Sequence, residues 1–102
     1  MKDVPKALSL SALRALVRFA LTEGYCRESF HAAEEHPERN ICFDDVLAGL
    51  EREDWTLEET EYDSEHKNWK YTIKTKDIEE DDLHIIIAAD QKRTRIKVIT
   101  RW

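Results

Sequence analysis

Hydrophobic positions along the chain follow two different periods, and the change between them divides the sequence. Leu10, Leu13, Leu16, Val17, Ala20 and Leu21 recur at spacings of three and four, which predicts a helix over Ser9 to Glu23. Arg14, Arg18 and Glu23 fall off that stripe. Ser9 or Ser11 can cap its start, and Gly24 suits the residue after its end because it tolerates positive φ. Val46, Leu47 and Leu50 mark a second helix over Asp44 to Arg52, with Asp44 and Asp45 placed well at its N-terminus. Cys42 stands at its N-cap, where a thiol is a weak choice. Between the helices, Tyr25 to Asn40 keep no clean period. Ser29 can cap a short turn through Ala32, Ala33 and Glu34, and Pro37 ends it or starts another.

Beyond residue 53 the period becomes two. Trp55 and Leu57, then Trp69, Tyr71 and Ile73, then Leu83, Ile85 and Ile87, then Ile96 and Val98 alternate with polar neighbours. This predicts four strands. The polar connections over 63–68, 77–82 and 90–93 have hairpin lengths, so a meander is the simplest topology. One-sided helices and one-sided strands must cover each other. The expected fold is α+β, with two N-terminal helices packed on one face of a four-stranded antiparallel sheet. Residues 1–102 form a single domain on this reading, since two Gly and two Pro leave little room for a linker. Trp55, Trp69, Tyr71 and Phe43 lie on the apolar parity of their elements and read as core rather than as base-stacking groups.

Charge refines this picture. The net charge of −6 taken whole argues against nucleic acid. The distribution is uneven: residues 1–66 hold 7 basic and 16 acidic side chains, net −9, whereas residues 67–102 hold 9 and 6, net +3. If Trp69, Tyr71, Ile73, Ile96 and Val98 point at the helices, then Lys70, Lys74, Arg95, Lys97 and Arg101 gather on the opposite face, with His84 between them. A phosphate backbone would neutralise such a cluster. An ordinary solvated face, balanced by acidic loops such as 77–82, is the other reading.

Cys26, His31, His36 and Cys42 are soft or borderline ligands within a short stretch, but their spacings match no standard zinc finger, and no metal is assigned. His31 with Arg39 offers a proton carrier beside a phosphate-binding group; the bland alternative is a histidine bonded to loop backbone. No nucleophile elbow, phosphate-binding glycine loop or dinucleotide fingerprint is present, so no cofactor is expected. The start of the chain shows no secretion signal and no stretch is long enough to span a bilayer, so a cytoplasmic location, reduced thiols and no membrane partner are expected.

The run Phe30-His31-Ala32, followed by Arg39-Asn40-Ile41-Cys42-Phe43-Asp44-Asp45-Val46-Leu47, resembles a small prokaryotic family of unknown function. That family's hallmark is a His-Ala, a following Arg, and an Ile-Ser-x-x-Asp/Glu-Val helix start. The ending Ile96 to Trp102 fits its last strand, and the resemblance covers residues 29–102. Cys42 stands where Ser is usual, and His36-Pro37-Glu38 lengthens the stretch before Arg39. More distantly, the element order is similar to that of ribonuclease toxins of the BrnT and RelE type. That resemblance implies RNA as a substrate, cut by transfer of the 2′-hydroxyl onto the phosphate. Lys70, Lys74, Arg95, Lys97 and Arg101 would then hold phosphate, and His31 or His84 would handle protons.

Three function classes remain open: a non-enzymatic module that binds a protein partner or dimerises, a toxin-like RNA-binding or RNA-cleaving protein, and a metal-dependent or other small enzyme. The first is the leading expectation on sequence alone.

Overall fold

The computed structural model describes residues 6–28, 42–90 and 94–102. Ser9 caps helix α1 (Leu10–Glu23), its hydroxyl accepting the Ala12 backbone N–H at 3.2 Å. Leu13, Leu16, Val17 and Ala20 form the buried stripe. Gly24 then takes φ 78°, and its N–H returns to the Ala20 carbonyl. Only glycine enters that left-handed conformation at no steric cost. The turn delivers the chain into an extended segment, β1 (Cys26–Glu28). The second helix, α2, runs over Phe43–Glu51. Its thiol cap is compensated from the other side: the Cys42 backbone N–H donates to the Asp45 carboxylate at 3.1 Å, the reciprocal half of a capping box.

The four strands with period two are β2 (Thr56–Asp63), β3 (Asn68–Lys76), β4 (Asp82–Asp90) and β5 (Arg95–Arg101). They form the expected antiparallel meander. The sheet as a whole differs from the expectation. It is a five-stranded mixed sheet in the order β1-β5-β4-β3-β2, and β1 pairs with β5 in parallel, Cys26 opposite Ile96 and Glu28 opposite Val98. A parallel pair needs a long crossover. Here the crossover contains α2 and the rest of the meander, so β1 stands between the helices in sequence and the two helices do not simply precede the sheet. A strand of three residues is too short to show a period, which is why the reading of 25–40 missed it.

Both helices cover one face of the sheet. Tyr71, Ile73, Leu83, Ile85, Ile87, Ile96 and Val98 are at most 1% exposed and meet Leu13, Val17, Val46 and Leu50. Trp55 is buried among them, while Trp69 and Phe43 pack against the cluster, so these aromatics serve the core. Helix α2 lies very close to β3. A Cβ on Gly49 would sit 2.7 Å from the Thr75 methyl, and the Thr75 hydroxyl donates to the Gly49 carbonyl at 2.7 Å. Among the described residues no helix is long and apolar enough to cross a membrane.

Arg101 departs from the expected basic face. The β4–β5 register passes from Ile87 opposite Val98 to Ile86 opposite Thr100, so Ile99 is the extra residue of a bulge. The bulge reverses the alternation. Arg101 lies opposite Ile85, on the helix side, buried and ion-paired with Glu28 of β1. Burial lowers the guanidinium's pKa from its ordinary value, although it stays charged. Removing one partner of a buried pair costs more than replacing both. Glu28→Ala is expected to lower unfolding stability by about 2 kcal/mol, with about half recovered when Arg101→Met is added. Urea denaturation of the three variants checks this. A double variant less stable than Glu28→Ala would contradict it.

Candidate functional site

Alternation places Lys70, Thr72, Lys74, His84, Arg95 and Lys97 on the face turned away from α1 and α2, while Thr75 stays on the helix side with Gly49. Lys70, Ala88, Lys97 and Arg27 line up across four neighbouring strands in register. Two residues further along, Asp90 lies opposite Arg95. Adjacent strands are about 4.8 Å apart, so these side chains share one small area of the sheet. Ala88, with only a methyl group, leaves a hollow between its larger neighbours.

That hollow is a cavity of about 370 Å³, bordered by Tyr25, Arg27, Asn68, Ala88, Arg95 and Lys97. Among the described residues, none of the three cations has a carboxylate within ion-pair distance. Arg95 instead lies over the Tyr25 ring, 5.7 Å from its centroid. The Asn68 carbonyl oxygen beside the cavity is buried without a hydrogen-bond partner. Asp90 is the one carboxylate on the rim among the described residues, and it makes an interaction of its own. Three like charges held together repel, and an anion in the cavity would relieve that cost.

The other expected basic residues are disposed differently. Lys70 is neutralised by Asp63 at 3.1 Å. Arg101 is on the opposite side of the sheet, as described above. Lys74 is exposed on the same face, opposite His84, and has no ion-pair partner among the described residues. The His84 ring stacks on Trp102 with centroids 5.2 Å apart and planes 8° apart, while its Nε2 sits 3.2 Å from the Glu58 carboxylate. The structure therefore gathers Arg95 and Lys97, sets Lys74 and His84 further along the same face, and removes Arg101. His31, His36 and Arg39 lie outside the described residues.

Arg27, Tyr25 and Asn68 were missed by sequence reasoning. Arg27 enters only through the parallel pairing of β1 with β5, which a three-residue strand does not announce. The sole signal was the short alternation Tyr25-Cys26-Arg27-Glu28 directly after Gly24.

A larger cleft of about 450 Å³ separates α1 from the end of α2. Its guanidinium groups are already engaged. Arg14 donates to the Glu53 and Trp55 carbonyls and lies 4.2 Å from the Trp55 ring centroid. Arg18 pairs with Glu53 at 2.8 Å, and Arg52 pairs with Asp54 at 2.9 Å. No surplus charge is left there for a ligand. As for a metal, burial pushes the Cys26 thiol up to about 11, which disfavours the thiolate a metal needs. Cys42 is exposed, and its thiol lies 3.2 Å from Asp45.

Together, the sheet and its hollow define a small α+β protein with a cluster of cations on its exposed sheet face. The chain belongs to the DUF4258 family: the model of a domain of unknown function (DUF4258) matches residues 29–101. Arg95 and Lys97 fall within the match, whereas Tyr25 and Arg27 precede it. No curated protein and no solved structure matches the chain.

Asp63 sets how much of Lys70's charge is available. Its carboxylate accepts from the His66 ring at 2.7 Å and from the His66 backbone N–H at 3.2 Å, and then pairs with Lys70. These interactions, the His66 ring foremost, hold its pKa well below the usual carboxylate range. A depressed folded pKa means that the contribution is present above the ordinary value of 3.8 and is lost as pH falls through the lower folded value. A carboxyl-detected NMR titration should therefore find Asp63 still ionised at pH 3.8, the ordinary midpoint of an aspartate. A midpoint at the ordinary value would show that the His66 and Lys70 contacts do not persist in solution.

Proposed function

We propose that the protein binds RNA through the cationic hollow on the exposed sheet face. The observation that carries this reading is the convergence of Arg27, Arg95 and Lys97 on one cavity without carboxylate partners among the described residues. Phosphate is the anion whose charge and multiple acceptor oxygens suit two guanidinium groups and an ammonium. The exposed Tyr25 ring at the border adds a surface against which a base can stack. The acidic character of the whole chain is no obstacle, because its carboxylates concentrate away from the hollow, along β2 and the segment before it.

Fluorescence anisotropy with a labelled single-stranded RNA octamer at two salt concentrations tests it. Binding is expected to weaken steeply as salt rises. Arg27→Ala with Lys97→Ala should weaken it at least tenfold and reduce the log–log salt slope by about 1.4, the value for two lost single-strand contacts. An octamer that stays unbound at low salt would refute the reading.

Cleavage is a second reading, favoured by the setting of His84. Nε2 faces the Glu58 carboxylate at 3.2 Å, which favours the proton on that nitrogen and leaves Nδ1 as the acceptor, and the ring stacks on the Trp102 indole. In this scheme Nδ1 takes the 2′-hydroxyl proton as that oxygen attacks phosphorus. The bond from phosphorus to the 5′ oxygen breaks, and the leaving oxygen takes a proton from water. The products are a 2′,3′-cyclic phosphate and a 5′-hydroxyl. Mass spectrometry of octamer incubated with the protein should find these ends, and His84→Ala should abolish them while octamer binding persists. Intact RNA with the parent protein would leave binding as the whole activity.

Partner binding, the leading expectation from sequence alone, would have to use a different surface. The eight residues of β2 form an open sheet edge, but the bulge at Glu58 and the charges of Glu59 and Glu61 are features that discourage strand addition.

A further inference from the structure

Granting RNA binding at the hollow, we infer that the ligand is a single strand that runs along β4 and reaches a second phosphate anchor at Lys74. The inference rests on how charge is distributed over the face. Lys97 stands opposite Ala88, and Lys74 stands opposite His84, so four residues of β4 separate the two cationic positions. Lys97 and Lys74 also stand on opposite sides of β4, so about 13 Å along the strand and about 9.6 Å across two strand spacings put the two positions about 16 Å apart. Lys74 is exposed and, like the cations of the hollow, has no carboxylate within ion-pair distance among the described residues. Glu58 on this face sits 3.2 Å from His84 instead, and Asp54 and Asp82, which border a small cavity with Lys74, lie 2.9 Å from Arg52 and 3.7 Å from Lys76.

The floor between the anchors is uncharged. Thr72, Ile86 and Thr100 occupy it, all half-buried, with Thr72 and Thr100 each opposite Ile86. Such a strip repels neither phosphates nor bases. Its border is charged on one side only. Glu58, Glu59, Glu61 and Asp63 of β2 form an acidic margin, and Asp63 cancels Lys70, the cation of β3 nearest the hollow. A polyanion is thus excluded from the β2 side and guided over β4 and β5, with positive charge at each end of its path.

The path sets the length of the ligand. A stacked strand rises about 3.4 Å per nucleotide and an extended one about twice that, so about 16 Å is two to five nucleotide steps. A dinucleotide occupies the hollow alone. An octamer reaches both anchors. A duplex presents its phosphates on a stiff, wide surface and cannot lay a single backbone along the strip.

Lys74→Ala separates the possibilities. Its side chain is exposed and has no ion-pair partner among the described residues, so the variant is expected to fold, which circular dichroism checks. The variant should weaken octamer binding about threefold to fivefold and reduce its salt slope by about 0.7, the value for one single-strand contact. Binding of a 5′-phosphorylated dinucleotide, followed by NMR shifts of Lys97 and its neighbours, should stay unchanged. Arg27→Ala with Lys97→Ala should weaken both ligands. A duplex of the same sequence should bind more weakly than the octamer. If Lys74→Ala leaves the octamer's affinity and slope unchanged, or if the duplex binds as well as the single strand, the track is refuted while RNA binding at the hollow stands. If neither ligand binds the parent protein, the underlying reading fails and the track with it.

Discussion

One buried face organises this protein. Two helices press on the same side of the sheet, and Leu13, Val17, Val46 and Leu50 close over Ile73, Ile85, Ile87 and Val98. Removing that much apolar surface from water is the main favourable term in folding a chain of this size. It also has a geometric consequence. Because strand side chains alternate, committing one parity to the core exports the other parity to the far side as a set. The cations of β3 and β5 therefore reach one surface without any specific contact gathering them.

Departures from the alternation matter as much as the alternation itself. The bulge at Ile99 turns Arg101 to the helix side, where Glu28 receives it. The same bulge leaves Lys97 and Arg95 on the open face with Arg27. A charge that would have added to the cationic cluster instead ties β5 to β1, the edge strand that carries Arg27. The bulge at Glu58 lets β2 present that carboxylate to His84 while Glu59 takes the place opposite Thr72. In both cases a single extra residue decides whether a charged group serves the fold or the exposed face.

The open face is divided electrically. Along β2 carboxylates prevail, and Asp63 neutralises Lys70 of β3. Over β5 and β1 the cations are unmatched among the described residues, and Ala88 leaves room between them. A net charge of −6 is compatible with an anion-binding site because screening makes the local arrangement count for more than the total.

Local pattern by itself determined the two helices, the end of the first at Gly24, the four-stranded meander, the aromatic core and the side of the sheet on which Lys74, Lys97 and Arg95 stand, and it left the first helix's N-cap open between Ser9 and Ser11. These are consequences of spacing along a single element, and spacing is legible in one dimension. The tertiary structure decided the rest. Whether Arg101 faced out or in depended on a bulge, which changes the phase of the pattern by one residue and leaves the composition of the strand unaltered. Whether Arg27 belonged to the site depended on a parallel pairing between segments about seventy residues apart. A strand of three residues carries too few alternations to be seen, and its place beside β5 is fixed by where α1 ends and by the pairing of Glu28 with Arg101, which no local pattern encodes.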